Sequence, residues 1–255
     1  MQHLRSRGVK QLFPKRPSSS LATLKNINVY GRPTVRVVKV HWMLDELGVH
    51  YEKVEDLPSP APESYALEVN PTGLVPSIQF DLDDPHGGDS SYVVSDSNAI
   101  CSFLAQAAGG PIFPSESLVF ARAAQWSDFV ENYMCAPRLN QVFHARVRKA
   151  YPPATRKPGC PPVSEVDVHV ARSVEALRIF NDFLAARPLD QTYVAGPDWT
   201  YADATIGPWV HRWVKYSASL GPELATARFP GILRYHDEAL VPRPAFVAAV
   251  ANRMI

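Results

Sequence analysis

Cysteine is scarce in this sequence, and its few cysteines show no recurring spacing. The 255 residues include three, Cys101, Cys135 and Cys160, an odd number with no CxxC pair and no metal-like spacing. The pattern argues against a disulfide framework and a metal site, and favours a reducing compartment such as the cytoplasm. No apolar run approaches the roughly 20 residues that a transmembrane helix needs. The sequence therefore predicts a protein without a membrane segment.

Acidic residues are absent from the first 44 positions, which hold nine Lys and Arg. The rest of the chain holds 17 basic and 25 acidic residues, so its body is acidic although the whole chain has a net charge of +1. An acidic body is a poor candidate for nucleic acid binding. Residues 1–25 form a basic tail whose composition fits an organellar transit peptide, a disordered tail or a misplaced start codon.

After the tail, the hydrophobic pattern differs between two regions of the chain. Residues 26–110 alternate short strand-like and helical segments in the order β-α-β-α-β-β-α. Residues 111–117 resemble a linker, and residues 118–255 contain only helical patterns, one of which Pro208 is expected to kink or break. We predict an α/β domain with a four-stranded mixed sheet, followed by an all-helical domain.

The stretch NPTGLVPSI, residues 70–78, places a proline at the start of a predicted strand. Proline cannot donate to a sheet ladder and usually occupies an edge, a strand start or a bulge. The other interpretation of Pro76 is a cis peptide bond in a tight turn. The Val75 backbone would then be free to pair with an extended peptide ligand. This motif alone leaves both interpretations open.

Five motifs in the same order resemble the cytosolic glutathione transferases, in particular bacterial-like members of the serine/threonine type. They are VKVHWMLDELGVHYE, NPTGLVP, SDSNAI, TYADATIG (a helix capping box) and RPAFVAAV. The resemblance covers roughly residues 26–252. It implies a thioredoxin-like N-terminal domain and an all-helical C-terminal domain, a cis Pro76, glutathione as co-substrate, and a homodimer.

The resemblance also implies that Thr34, at the start of the first helix, activates the glutathione thiol. A thiol with a pKa of about 8.5 is mostly protonated at neutral pH, and both a hydroxyl donor and a helix N-terminus favour its thiolate. Thr34 also fits a helix N-cap, so two roles compete for one hydroxyl. Arg36 is expected to assist. Tyr30 is a second candidate hydroxyl, although a core position is more typical of it.

Glutathione-binding residues follow from the same resemblance. Val75 and Pro76 would meet the cysteinyl backbone, Ser97 the γ-glutamyl carboxylate, and Asp96 the ammonium group. Taken by themselves, Asp96 and Ser97 are helix N-cap candidates, and a helix N-terminus also binds carboxylates. A second-substrate pocket is predicted from helical-domain residues whose spacing is equally typical of a core: Trp126, Phe129, Tyr133, His144, Trp209 and Trp213.

These features predict a detoxification-type glutathione S-transferase that joins the glutathione thiolate to a small hydrophobic electrophile. The alternative is a glutathione-transferase-like module without catalysis that serves in protein interaction, because a fold does not establish an activity. Convergence of Thr34, Val75–Pro76 and Asp96–Ser97 on one cleft would favour the enzyme, and a loop or bulky side chain filling that cleft would favour the module. A redox enzyme would need a cysteine near that cleft, and none occupies the Thr34 position.

Overall fold

The computed structural model describes residues 20–57, 61–83, 89–148 and 166–253. Most of the predicted basic tail and Cys160 therefore lie outside the described residues. The first strand begins at Leu24, two residues before the predicted start of the sheet domain. Within the described ranges, no helix combines the length and apolar character needed to cross a membrane.

A four-stranded mixed sheet forms the N-terminal half, as predicted. Its strands are β1 (Leu24–Tyr30), β2 (Glu52–Val54), β3 (Ser77–Asp83) and β4 (Asp89–Ser95), in the spatial order β2-β1-β3-β4. Strand β2 pairs parallel to β1, whereas β3 pairs antiparallel to both β1 and β4. The parallel pair requires a crossover, which a helix provides.

Three helices accompany the sheet: α1 (Val35–Glu46), α2 (Glu63–Glu68) and α3 (Ser97–Ala108). Helix α1 is buried over nearly its whole length because it packs between the sheet and the helical half of the chain. Its valine-rich sequence suits an element with little contact with water. Gly48 follows α1 at a φ of 63°, a left-handed conformation that glycine adopts readily.

The described residues of the C-terminal half form helices and connecting loops, without a strand. Its α-helices are α4 (Ser117–Asp128), α5 (Asn140–Arg146), α6 (Val166–Ala185), α7 (Tyr201–Leu220), α8 (Pro230–Arg234) and α9 (Pro244–Phe246). Three π-helical segments extend them: Phe129–Leu139, Tyr235–Leu240 and Val247–Ala251.

Helix α7 begins with the predicted capping box and is the central helix of this half. The buried carboxylate of Asp203 accepts hydrogen bonds from the Thr200 amide at 2.9 Å, the Val194 amide at 3.0 Å and the Tyr235 hydroxyl at 2.8 Å. The helix continues unbroken through Pro208, so the expected break is absent. Burial on all sides of this segment outweighs the penalty of about 3 kcal/mol for an interior proline.

Helices α1 and α7 approach closely at Gly207. A Cβ atom at this position would lie 2.5 Å from a ring carbon of Trp42. The Trp42 ring is fully buried and packs edge-on against Phe246 at a centroid distance of 4.9 Å, so it has no room to move. The absence of a side chain at Gly207 thus allows the two halves of the chain to pack together.

We expect Gly207→Ala to lower the free energy of unfolding by about 1 kcal/mol or more. Overpacking of about 1–3 kcal/mol would exceed the gain of up to about 1 kcal/mol from helix propensity. Gly196→Ala is the matched control because its added Cβ meets no atom within 4 Å. Denaturant unfolding of the two variants measures the difference, and equal stability would show that the α1–α7 contact tolerates a methyl group.

Candidate functional site

The sheet register brings four chain segments to one edge. Val54, Tyr30, Ser77 and Ser95 form a row across the four strands. The segments next to this row are Gly31–Thr34, Glu55–Asp56, Val75–Pro76 and Asp96–Ser97. The topology therefore collects Thr34 and the predicted glutathione-binding turn and helix start along one side of the sheet.

The Val75–Pro76 peptide bond is cis, which confirms the predicted geometry of the turn. The Pro76 carbonyl accepts a hydrogen bond from the Asp96 amide at 3.3 Å, so the turn is joined to the start of α3. Gly31 has a φ of 128°, and a Cβ atom there would lie 2.9 Å from Val75 Cβ. Glycine at this position allows the turn to pack against the end of β1.

Thr34 is the N-cap residue of α1, and its side chain makes no capping hydrogen bond. Only its backbone takes part in the helix, since the Val38 amide donates to the Thr34 carbonyl at 2.9 Å. The residue is exposed, so its hydroxyl can reach a ligand. Tyr30, the other candidate, donates its hydroxyl to Gln79 Oε1 at 2.6 Å and packs against Tyr65. Its hydroxyl is already engaged, and burial raises the pKa of Tyr30.

Asp96 caps α3 with its side chain. Its Oδ1 atom accepts hydrogen bonds from the Asn98 amide at 2.9 Å and the Ala99 amide at 3.3 Å. The residue is exposed and has a φ of 77°, a left-handed conformation that aspartate tolerates better than most residues. Ser97 is the first residue of α3 and is buried. Both N-cap candidates therefore lie at a helix start, with Asp96 as the capping side chain.

A cavity of about 680 Å³ separates the N-terminal domain from the helical half beside Thr34. Its walls are Arg32, Pro33, Thr34, Val35, Glu55, Asp56, Phe143, Val147, Arg148, Arg212 and Tyr216. Val75, Pro76, Asp96 and Ser97 do not line it, although they belong to the same edge of the sheet. The cavity combines the candidate catalytic hydroxyl with an aromatic and positively charged wall from α5, α7 and the residues after α5.

None of the six residues of the predicted second-substrate wall lines this cavity, and their role in a pocket stays a prediction. Trp126 stacks on Phe183 inside the helical half, with ring centroids 3.8 Å apart. Phe129 and Tyr133 stack on each other with a centroid distance of 5.0 Å. Trp209 is buried. The aromatic residues that line the cavity beside Thr34 are Phe143 and Tyr216. Their rings pack edge to face with a centroid distance of 5.1 Å.

His144 and Trp213, the remaining members of the predicted wall, do not line this cavity either. Trp213 is buried and donates its indole N–H to the Leu224 carbonyl at 3.0 Å. Helical spacing alone did not distinguish core aromatic residues from pocket residues.

Glu131 connects the two halves through a buried charge network. Its carboxylate accepts from Lys39 Nζ at 2.6 Å, from Arg36 at 2.8 and 3.0 Å, and from the Trp209 indole at 2.6 Å. Burial opposes ionisation, but the charges of Lys39 and Arg36 and the hydrogen bonds of Lys39 and Trp209 outweigh it, so the pKa of Glu131 falls to about 2. Arg36, predicted to assist glutathione, is thus an ion-pair partner of Glu131 and does not line the cavity.

The same network continues through the interior by way of Asn98. Lys39, which is fully buried, also donates to Asn98 Oδ1 at 3.1 Å. Asn98 donates to Ser127 Oγ at 3.3 Å, and the Ser127 and Thr205 hydroxyls are 2.8 Å apart. A continuous series of polar contacts therefore joins α1, α3, α4 and α7.

Sequence reasoning missed Lys39, Glu131 and Arg212. One signal for Lys39 was its position four residues after Val35 and three before Trp42, on the buried stripe of α1. Arg212 similarly falls three residues after Trp209, among apolar neighbours. No local pattern identifies Glu131, because its partners are distant in sequence.

Both described cysteines are buried and remain protonated at neutral pH, so neither is a good nucleophile. Burial raises the pKa of Cys101 to about 12 and raises that of Cys135 further. Neither lines the cavity beside Thr34. Among the described residues, no group of three His, Cys, Asp or Glu side chains is arranged to hold a metal ion.

Replacing Glu131 by Gln should lower the free energy of unfolding by about 3–5 kcal/mol, because Lys39 would remain as a buried charge without its partner. The loss should depend on pH. Since folding lowers the pKa of Glu131 from 4.5 to about 2, its contribution is complete above 4.5 and is lost as the pH falls toward 2. The stability difference between wild type and variant should shrink over that range.

Denaturant titrations at a series of pH values would measure this difference. Glu175→Gln, which removes an exposed carboxylate from α6, serves as the control. A difference that stays constant on acidification would contradict the assignment of Glu131 as the ionised centre of the network.

Comparisons with known proteins agree with this geometry. Residues 36–107 match the family model described as the glutathione S-transferase N-terminal domain. No curated protein sequence matches the chain significantly.

Solved structures share the fold over nearly the whole chain. A glutathione transferase from Burkholderia graminis, with two glutathione molecules bound per subunit, is 26% identical with a TM-score of 0.67, covering 88% of this chain and 87% of its own. A glutathione transferase family member from Pseudomonas fluorescens, with two glutathione bound, is 24% identical with a TM-score of 0.69. The match covers 88% of this chain and 92% of the other. A theta-class enzyme from Xanthomonas axonopodis, with glutathione bound, is 23% identical with a TM-score of 0.69 and coverages of 89% and 97%.

The predicted resemblance to the glutathione transferases is confirmed by this domain match together with the shared fold. The chain carries a glutathione S-transferase N-terminal domain joined to a helical C-terminal half.

Proposed function

We propose that this protein is a glutathione S-transferase that conjugates the glutathione thiolate to a small hydrophobic electrophile. The observation that carries the proposal is the Thr34 hydroxyl. It lies at the N-terminus of α1, borders the interdomain cavity and makes no capping hydrogen bond. A hydroxyl in this position is available to donate to a sulfur anion.

Thr34 would act on the ionisation of the thiol. Its hydroxyl donates to the thiolate, and the N-terminus of α1 adds a partial positive charge, so both favour the ionised form. Arg32 also lines the cavity close by and adds positive charge. The thiolate then attacks the electrophile, the S–C bond forms, and a leaving group departs with the electron pair of the broken bond.

The other predicted residues are proposed to hold glutathione along the same edge of the sheet. The Val75 backbone next to cis-Pro76 would pair with the cysteinyl unit, in the manner of an added strand. Ser97, at the start of α3, would meet the γ-glutamyl carboxylate, which a helix N-terminus favours. Asp96 Oδ1 is occupied by the cap, so Oδ2 would face the ammonium group. The glutathione bound in the three similar structures supports this ligand.

Several features expected from the family belong to this proposal. They are a homodimer, a role in detoxification and a cytoplasmic location. The division into a glutathione-binding domain over 26–110, a linker over 111–117 and a helical domain over 118–255 is proposed with them.

We expect Thr34→Ala to reduce kcat/KM for conjugation about 10- to 100-fold, the equivalent of one lost hydrogen bond to a charged group. Thr34→Ser should retain most of the activity because it keeps the hydroxyl. The pKa of bound glutathione should rise in the alanine variant only, as followed by ultraviolet absorbance of the thiolate. Thr192→Ala, which removes an exposed hydroxyl distant in sequence from the site, is the control.

Calorimetric titration of glutathione tests binding independently of turnover. Saturable binding to the wild type that weakens in Ser97→Ala is the expected result. If wild-type protein does not bind glutathione at millimolar concentration, the transferase proposal fails, and the non-catalytic interaction module becomes the better hypothesis.

A further inference from the structure

The cavity beside Thr34 is lined by more positively charged than negatively charged side chains. Its lining includes Arg32, Arg148 and Arg212 against Glu55 and Asp56. The carboxylate of Glu55 is already paired with the guanidinium of Arg253 near the end of the chain. Among the lining residues that the structure describes, Asp56 is therefore the acid without an ion pair, alongside three arginines. Such a site favours an anionic ligand.

Arg212 is the unusual member of this set because its side chain is buried. The residue is 8% exposed, and its guanidinium lies between the rings of Phe143 and Trp209, 4.4 Å from each centroid. Burial lowers the pKa of Arg212 to about 10, so the group remains charged at neutral pH. The two rings fix the plane of the guanidinium and partly stabilise its charge.

No carboxylate among the described residues forms an ion pair with Arg212. Its hydrogen-bond partner is an amide oxygen, Asn140 Oδ1, at 3.0 Å. That bond uses one of the five N–H donors of a guanidinium. Glu131 contributes favourable charge to Arg212, but its oxygens are bonded to Arg36, Lys39 and Trp209.

A buried charge without a counter-ion is unfavourable unless a ligand supplies one. The guanidinium fork matches the geometry of a carboxylate, with which it forms two parallel hydrogen bonds. The buried Phe143 and the half-buried Tyr216 line the same cavity and make part of its wall aromatic and apolar. The exposed Arg148 lies at the cavity and over Phe143 at 5.7 Å, where it adds a second cation.

We infer that the electrophilic substrate of this protein carries an anionic group, a carboxylate in the simplest case, on an aromatic body. Arg212 binds the anion, Arg148 supports it electrostatically, and Phe143 and Tyr216 contact the ring. This inference rests on the proposed function, because it names the class of acceptor that would lie beside Thr34.

Direct binding tests the anion site without requiring any reaction. The probe is a dinitrobenzoate with no leaving group, compared with the corresponding dinitrobenzamide, which has nearly the same shape and no charge. Calorimetry on the full chain should show that the benzoate binds more tightly than the amide. In Arg212→Met the benzoate should lose about 10- to 100-fold in affinity, the value of a hydrogen-bonded charge, whereas the amide should change by less than about threefold.

Three further variants define the result. Arg212→Lys should restore part of the benzoate affinity, since it keeps the charge but not the planar fork. Arg148→Met, at an exposed position that does not endanger folding, should weaken benzoate binding by about threefold. Arg172→Met, which removes an exposed arginine of α6 outside the cavity, is the matched charge control and should bind both probes as wild type does.

Turnover provides the second readout. The substrate is a chlorodinitrobenzoate whose chlorine lies para to the carboxylate, compared with its methyl ester. The glutathione sulfur forms a bond to the ring carbon that carries chlorine, and chloride leaves with the bonding electrons. Arg212→Met should raise KM for the carboxylate while leaving kcat and the KM for the ester nearly unchanged.

The inference is overturned if the wild type binds benzoate and benzamide equally, or if Arg212→Met and Arg148→Met weaken both probes alike. It is also overturned if Arg212→Met lowers affinity for glutathione and spares the probes, because Arg212 would then serve a carboxylate of glutathione. If the wild type binds the benzoate more tightly than the benzamide but conjugates neither substrate, the anion site is supported and the proposed transferase activity is refuted.

Discussion

The buried ion pair between Lys39 and Glu131 is the interaction on which the arrangement of the two halves depends. Lys39 is fully buried in α1, where an unpaired ammonium would be strongly unfavourable, and Glu131 supplies its counter-ion at 2.6 Å. Glu131 also accepts from Arg36 and from the Trp209 indole. Because these partners come from α1, the π-helical segment and α7, the network permits few relative positions of the sheet and the helices. Apolar packing alone would be less restrictive.

The position of the cavity follows from this constraint. The first turn of α1 places Thr34 on one side, while Phe143 and Arg212 form the opposite wall from α5 and α7. Gly207 contributes by allowing α7 to meet Trp42 of α1 at short distance. The proposed chemistry therefore uses a hydroxyl from the sheet domain and an acceptor wall from the helical half. Either half alone would present an incomplete site.

Local sequence signals predicted the features that depend on neighbouring residues. The order of strands and helices and the capping box at Asp203 correspond to short motifs with a direct physical cause. The cis bond before Pro76 was implied by the family resemblance, because the motif alone left it open. Of the kink or break expected at Pro208, the break is absent, because tertiary packing outweighs a local preference. The predicted aromatic residues do not line the cavity beside Thr34, because helical spacing shows that a face is apolar and does not show what covers it.

Sequence patterns alone predicted that a mixed four-stranded sheet would be followed by helices, and that Thr34 would lie at the start of the first helix. These are consequences of periodicity, turn residues and caps, which act over a few positions along the chain. The pairing of Arg36 with Glu131 became visible only in the folded chain, as did the position of Arg212 between two rings without a carboxylate partner among the described residues. Burial and charge pairing depend on residues up to 198 positions apart, and their distances exist only once the chain has folded.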